Sequence, residues 1–358
     1  MDKNIKSINK LRIFHLLPSE DLGGAEIASK TCNFIDNKNF IFRTHYIHRN
    51  NFSKNYFLKV INEFKNNLKS FLYFLKIKNF TLICSLWKSS FLSILLKIFL
   101  PKTKVILFLH SSKSAHFFDR LFTSFVLIFA HEVWSDSKMT LIKRFDDLFV
   151  KRKYLNTKIV SFIIRKLDPL VVREEISFNF IYWGRLHKVK NLKQTIKFFK
   201  QFYDVDNNSK LTLIGHDYGM KIELKNLIKN LGLNNNVEIL EFMDISKIAN
   251  YASYCSFFIQ LSHHEGMAMS VVEAMQFGLV PIVTNVGEIE RYCVDYKNSI
   301  IYEGLQKTFN KVFELKKSEI DFHEISNNAI NTWKNKKLYK EDIFYNCKLI
   351  SQSENLST

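Results

Sequence analysis

Strand-length apolar runs alternate with amphipathic stretches along nearly the whole chain, and the alternation occurs twice. In the first series, residues 11–16, 41–48, 81–85, 105–110 and 132–135 read as strands, with helical stretches such as 25–34, 57–77 and 117–130 between them. The second series has strands at 178–183, 210–214, 237–240, 256–261 and 280–284 and helices at 192–203, 220–231 and 245–252. Such alternation predicts parallel sheets wrapped by helices, an α/β architecture. A charged segment at 166–175, containing Pro169, separates the two series as a linker. With 358 residues and 47% hydrophobic content, the chain can fill two cores. We therefore expect two doubly wound domains, 1–166 and 167–330, facing a central cleft, with a helical segment at 331–358 returning to the first. Ligands of such sheets sit beyond the carboxyl ends of the strands.

Residues 262–273 lie at such an edge and read S-H-H-E-G-M-A-M-S-V-V-E. They follow the apolar strand at 255–261 and open a helix. Glu265 and Glu273 have seven residues between them, and eight steps at helical rise span roughly 12 Å. That separation suits a sugar joined through a diphosphate to a ribose. One carboxylate can bind the sugar hydroxyls and the other the ribose hydroxyls, with the helix N-terminus facing the phosphates and Gly266 giving the loop its freedom.

Three further elements stand at strand ends. Gly23-Gly24 follows the first strand and precedes a helix; its backbone N–H groups either approach a ligand closely or form a plain strand-to-helix turn. Trp183-Gly184-Arg185-Leu186, with Lys190-Asn191 shortly after, ends the second domain's first strand. Arg185 and Lys190 either neutralise a departing diphosphate without a metal or belong to a solvated basic loop. His110 ends the strand at 105–109 and serves either as a bonding group lining the reaction site or as a satisfied structural histidine. His263 and His264 flank Glu265 and shape its loop.

The 52 Lys and Arg against 34 Asp and Glu give a net charge of +18, which calls for an acidic partner such as a phosphate, nucleic acid or anionic membrane. No nucleic-acid-binding signature accompanies the charge, so no nucleic acid is expected. Residues 55–78 and 89–104 interleave Phe, Leu and Ile with lysines. On helices these make apolar stripes edged by snorkelling lysines, suited to an anionic membrane interface, or core-packed helices with solvated lysine faces. The apolar stretches at 92–100 and 121–130 fall short of the ~20 residues that span a bilayer, and the first residues carry no secretory pattern. A cytoplasmic protein, soluble or peripheral on the inner face of the membrane, is the expectation. Cys32, Cys84, Cys255, Cys293 and Cys347 lie far apart without a C-x-x-C and read as reduced thiols. His45 and His48 have no neighbouring ligand residues, and Asp204-Val205-Asp206 runs into the turn Asn207-Asn208-Ser209, so neither metal nor cofactor is expected.

Together these pieces resemble family 4 of the retaining glycosyltransferases, enzymes of the GT-B fold with two Rossmann-like domains. The resemblance covers nearly the whole chain: Gly23-Gly24, His110, residues 133–137, G-R-L with K-N at 184–191, L-T-L-I-G at 211–215, E-G-M-A-M-S-V-V-E-A-M from Glu265, and G-L-V-P-I-V at 278–283. It implies that Arg185 and Lys190, beside Gly184, contact the donor diphosphate, Glu265 the donor sugar and Glu273 the ribose. Gly266, Met267, Ala268 and Met269 would supply backbone N–H groups, Gly23 and Gly24 would close on the phosphates, and His110 would line the reaction site. Ala268 stands where the family commonly has a second glycine, which puts the closeness of backbone approach in question. The resemblance further implies metal-independent, front-face transfer from a UDP- or GDP-sugar to a glycan acceptor, lipid-linked, in surface polysaccharide (lipopolysaccharide, O-antigen or capsule) biosynthesis. Two rivals remain. A nucleotide-sugar epimerase shares the two-domain architecture but does not favour this E-G-M-A set. A catalytically idle GT-B protein binding membrane or nucleic acid would have little use for Glu265, Glu273, Arg185 and Lys190.

Overall fold

The computed structural model describes residues 10–20, 23–48, 56–152, 155–170 and 176–355. It divides into two units, one of Met1–Ile164 with Lys337–Thr358 and one of Arg165–Lys336. Asn55 and residues 171–175 of the expected linker lie outside the described residues.

The first unit runs β1 (Leu11–Ser19), α1 (Gly24–Lys30), β2 (Phe34–Asp36), β3 (Phe40–His48), α2 (Tyr56–Ile77), β4 (Thr81–Ser85), α3 (Trp87–Phe99), β5 (Lys104–Leu109), α4 (Phe117–Phe129), β6 (Glu132–Ser135), α5 (Lys138–Asp147) and β7 (Asn156–Ile159). Among the described residues its sheet has the order β2-β3-β1-β4-β5-β6-β7. Neighbours are parallel except β2, which is antiparallel to β3. Every residue of β4 is buried, as expected of a parallel strand covered on both faces. From β1 the chain steps to β3 on one side and later to β4 on the other, so the carboxyl ends of β1 and β4 mark the switch point. The helix expected at 25–34 stops at Lys30. The Thr31 and Cys32 N–H groups bond back to Ala28 and Ser29, three residues away, which closes the helix. Arg43 then bonds both carboxylate oxygens of Asp36 and pins residues 34–36 as an edge strand.

The second unit runs β8 (Asn179–Trp183), a single 3-10 turn (Lys188–Lys190), α6 (Leu192–Val205), β9 (Lys210–Ile214), α7 (Lys221–Asn230), β10 (Val237–Leu240), α8 (Ile245–Ala252), β11 (Phe257–Gln260), α9 (Met269–Gln276), β12 (Val280–Val283), α10 (Ile289–Tyr292), β13 (Ile300–Ile301), α11 (Leu305–Lys317) and α12 (Glu319–Lys334). Its sheet is parallel throughout, in the order β10-β9-β8-β11-β12-β13. This is the doubly wound arrangement, with strand order reversing between β8 and β11, so a ligand belongs beyond Trp183 and Gln260.

The last helix, α13 (Tyr339–Asn355), belongs to the first unit. Tyr339 donates its N–H to Ile163 at 2.7 Å, and Asp342 Oδ2 accepts from the Ser161 N–H at 2.8 Å. A cut at residue 330, as expected from sequence, would divide α12, which continues to Lys334. Lys166 Nζ bonds the Lys334 carbonyl and Leu167 bonds Gln276, so Arg165, Lys166 and residues 331–336 go with the second unit.

Helix α9 presents the second glutamate of the motif and is anchored by burial of Val271, Val272, Ala274 and Met275. Burying a side chain of the size of Val or Met contributes about 1.5–3 kcal/mol. Gly278, at φ 79°, ends the helix by letting Leu279 N–H reach back to Ala274 at 3.1 Å.

Candidate functional site

At the end of β8 the backbone passes close to the end of β9. A Cβ on Gly215 would lie 1.7 Å from the Gly184 carbonyl oxygen, and one on Gly184, at φ 148°, would lie 2.7 Å from Tyr182 Oη. Only glycine fits either place. Burial keeps the Tyr182 phenol protonated well above its ordinary range, and its hydroxyl donates to the Arg185 carbonyl at 3.0 Å. The Arg185 guanidinium is exposed and lies 5.6 Å from the Tyr218 ring centroid. His187 caps the 3-10 turn, accepting from the Val189 N–H at 3.2 Å, and Asn191 at φ 53° turns the chain into α6. Lys190 is thereby aimed at the loop after β11.

Glu265 sits in that loop. Its Oε1 accepts from Lys190 Nζ at 2.6 Å and from Gln260 Nε2 at 2.9 Å, while Oε2 has no hydrogen-bond partner among the described residues. The side chains of Lys190 and Glu265 are only 12% and 9% exposed. The loop is gripped from the segment after β12: Glu288 N–H bonds the Gly266 carbonyl at 3.0 Å, and Tyr292 Oη donates to the Met267 carbonyl at 2.9 Å. Gly287, at φ 62°, permits this approach, since a Cβ there would lie 2.2 Å from the Glu265 carbonyl oxygen. Met267 stands just before α9, and Ala268 caps the helix at φ 55°. That left-handed conformation favours glycine, and an alanine there carries roughly 1–2 kcal/mol of strain. The first N–H groups of α9, from Met269 on, have no helical acceptor and make an electropositive end.

Glu273 lies one helical turn into α9. Its Oε2 accepts from Trp183 Nε1 at 2.9 Å, and Oε1 is 3.8 Å from Arg165 Nε. Burial pushes its carboxyl above the ordinary range, with the Trp183 N–H and the Arg165 charge pulling the other way. Thus Gly184, Arg185, Lys190, Glu265, Gly266, Met267, Ala268, Met269 and Glu273 gather at one sheet edge of the second unit. Sequence reasoning missed Gln260, Gly287, Tyr292 and Arg165, and it gave Trp183 no role of its own.

Gly23, Gly24 and His110 belong to the first unit. Gly23 is the N-cap of α1 in ordinary extended backbone, and Gly24 is exposed at the helix start. His110 follows β5 with its Nε2 2.9 Å from Ser85 Oγ, which in turn bonds His15 Nε2 at 2.7 Å. His110 Nδ1 lies 3.9 Å from Asp136 Oδ2. Burial drives both histidines down to about 3, with mutual repulsion adding to the shift at His110, so both rings are neutral at physiological pH.

The other candidates are engaged locally. His45 bonds Ser70 and stacks on Tyr73, and His48 meets Asn66. Asp204 pairs with Lys200, and Asp206 accepts from Asn208 in the turn. No cluster of three or more metal-ligating side chains occurs among the described residues. All five cysteines are buried free thiols. No described helix is long and apolar enough to cross a membrane.

Several solved structures share this architecture. Anabaena HepE, solved in complex with UDP and glucose, superposes with a TM-score of 0.74 over 96% of this chain and 100% of its own at 17% identity. Sucrose-phosphate synthase from Thermosynechococcus elongatus gives 0.76 over 97% of this chain and 100% of its own at 13% identity. By sequence the chain is 26% identical over 122 residues to the GDP-mannose:cellobiosyl-diphosphopolyprenol alpha-mannosyltransferase of Xanthomonas campestris. That match covers 34% of this chain and about a third, 32%, of the relative. The chain has the GT-B fold, and residues 172–332 match the family described as glycosyl transferases group 1.

Proposed function

We propose that the protein is a retaining glycosyltransferase of family 4. It transfers a sugar from a UDP- or GDP-sugar to a lipid-linked glycan acceptor in surface polysaccharide biosynthesis, whether lipopolysaccharide, O-antigen or capsule. The observation that carries this reading is the constellation at one sheet edge of the second unit: Glu265 held by Lys190 in the loop before α9, Glu273 inside α9, and exposed Arg185 at the end of β8. Glu265 accepts sugar hydroxyls through its open Oε2, and Glu273 accepts the ribose hydroxyls. Arg185, Lys190 and the first N–H groups of α9 hold the diphosphate and stabilise the charge that grows on it as it leaves, without a metal.

Chemically, the anomeric carbon–oxygen bond to the diphosphate breaks while the acceptor oxygen bonds the same carbon from the same face. The acceptor's proton passes to the departing diphosphate, so charge and atoms balance. Gly184 and residues 266–269 let the donor approach the backbone. For the first unit we assign Gly23 and Gly24, at the start of α1, to phosphate contact and neutral His110 to hydroxyl bonding, as the family resemblance implies. The Xanthomonas relative is named for GDP-mannose and a diphosphopolyprenol acceptor, and HepE was solved with UDP and glucose. These names favour a nucleotide sugar as donor and support a lipid-linked acceptor. An anionic membrane on the cytoplasmic side is the partner surface we assign to the lysine- and phenylalanine-bearing helices α2 and α3.

The deciding test incubates purified protein with UDP-glucose, UDP-N-acetylglucosamine and GDP-mannose, with and without polyprenyl-diphosphate glycans, and measures nucleotide release and product linkage. Acceptor-dependent release with retained anomeric configuration supports the reading. Interconversion of sugars without transfer would make it an epimerase instead.

A further inference from the structure

Gln260 ends β11 at the switch point of the second sheet and is fully buried. An amide in that place is costly unless both of its ends are bonded. Both are: Nε2 donates to Glu265 Oε1 at 2.9 Å, and Oε1 accepts from Ser270 Oγ at 2.8 Å in the first turn of α9. The amide orientation is dictated chemically, because a carboxylate only accepts and so must face the NH2 group, leaving the carbonyl for the Ser270 hydroxyl. Two different donors therefore converge on one oxygen of Glu265, a cation from the turn after β8 and a neutral amide from β11.

We propose that Gln260, oriented by Ser270, is a positioning residue that keeps Glu265 in place for the donor sugar when the donor's phosphates draw Lys190 away. This role rests on the donor-site reading above. Lys190 cannot serve both ligands at full strength: its ammonium is a point charge, and a diphosphate competes for it against a single carboxylate. A carboxylate as poorly exposed as Glu265 would then stand without a partner, at a large desolvation cost, and would swing out of register. The Gln260 amide prevents this. Being neutral, it fixes the carboxylate without cancelling its charge, so Oε2 still accepts strongly from sugar hydroxyls. Ser270 couples the arrangement to the helix start that faces the phosphates, so sugar and phosphate contacts are set from one rigid element.

The test uses the full chain and compares binding, by calorimetry, of UDP-glucose and GDP-mannose with that of UDP and GDP, which lack the sugar. Gln260→Leu, close in size, should weaken sugar-nucleotide binding about ten-fold or more while leaving nucleoside-diphosphate binding unchanged. Ser270→Ala, half-buried in the first turn of α9 and milder for folding, should give the same pattern with a smaller loss. Gln260→Glu sets two carboxylates against each other, with Lys190 the adjacent cation and Tyr182 and Tyr292 the nearby phenols. Its turnover should be poor at neutral pH and recover as pH falls, because a proton shared between the carboxylates restores a donor. A merely structural role predicts no such recovery. If wild-type protein binds the sugar nucleotides but folded Gln260→Leu weakens both ligand classes alike, or neither, the assignment is overturned alone. If wild-type protein binds no sugar nucleotide, the donor-site reading falls and takes the assignment with it.

Discussion

Trp183 donates its indole N–H to Glu273 at 2.9 Å, tying the last residue of β8 to the interior of α9 across 90 residues of sequence. The bond fixes a carboxylate that burial would otherwise favour in its protonated form.

Because the folded-state pKa of Glu273 is raised, the folded protein holds this proton more tightly than the unfolded chain. Stability then falls as pH rises from the ordinary carboxylate value of 4.5 through the raised folded value, and the full cost of burying the charge is present above it. Glu273→Gln keeps an acceptor for Trp183 and removes that charge. It should raise the denaturation midpoint at neutral pH, with the difference from wild type shrinking toward pH 4. Denaturant titrations at several pH values check this, and parallel curves for the two proteins would contradict it. Glu273→Ala should also weaken donor binding by about 1.5–3 kcal/mol through loss of charged hydrogen bonds to the ribose. Unchanged calorimetric affinity in the folded variant would remove the ribose role.

How far these contacts could be foreseen depends on what kind of signal carries them. The parallel strands announce themselves as apolar runs such as 81–85, and the E-x7-E spacing with its flanking glycine marks the sheet edge before any coordinates. The short edge strands do not. Phe34–Asp36 and Ile300–Ile301 are too brief for periodicity and exist because Arg43 grips Asp36 and because β12 offers a parallel edge. Gln260 reads as a polar interruption at a strand end, and its purpose emerges only when Glu265 and Ser270 close around it. Gly287 is equally silent in sequence, since what demands it is the Glu265 backbone lying where a Cβ would sit.

Arg185 is exposed, and we assign it to charge growth on the leaving diphosphate rather than to packing. Arg185→Ala should lower turnover on the order of a hundred-fold with an unchanged melting curve. Activity should survive chelation by EDTA. Loss on chelation and return with magnesium or manganese would show that a metal, not the fixed cations, neutralises the diphosphate.

The buried chain His15–Ser85–His110 makes a second pH prediction with the opposite sign. Both rings are held neutral, their pKa values pushed down to about 3 by burial. The unfolded chain takes up these protons near 6.5 and the folded protein does not, so the stabilisation is present above 6.5 and is lost as pH falls toward 3. His15→Phe replaces one titrating ring by a ring that cannot titrate, and it should flatten the acid limb of the stability profile relative to wild type. Urea midpoints measured at pH 7.5 and 5 decide the matter, and an unchanged slope would mean the histidines are not buried as placed here.

The outer faces of α2, α3 and α4 leave large apolar side chains in solvent, Phe64 at 71% and Phe117 at 62% exposure among them, together with Ile98, Phe99 and Phe118. The helices adjoin one another, with Phe71 against Phe99 at 5.3 Å and Phe91 against Phe122 at 5.4 Å, so these residues form a shared face rather than scattered exceptions. Exposed Lys65, Lys69, Lys76, Lys78 and Lys102 edge it. On an anionic bilayer each lysine contributes about 1 kcal/mol, screened by salt, and each inserted phenylalanine about 1.5–3 kcal/mol, which salt does not weaken. Vesicle sedimentation should therefore show binding that rises with anionic-lipid content and falls with ionic strength. Replacing Phe64, Phe99 and Phe117 by Ser should weaken binding at every salt concentration while preserving its salt slope, and replacing Lys65, Lys69 and Lys76 by Gln should flatten that slope. Equal retention on neutral and anionic vesicles would take the lysines out of the contact, and retention on neither would leave the three helices as ordinary packed elements with solvated lysines and detach the enzyme from the membrane.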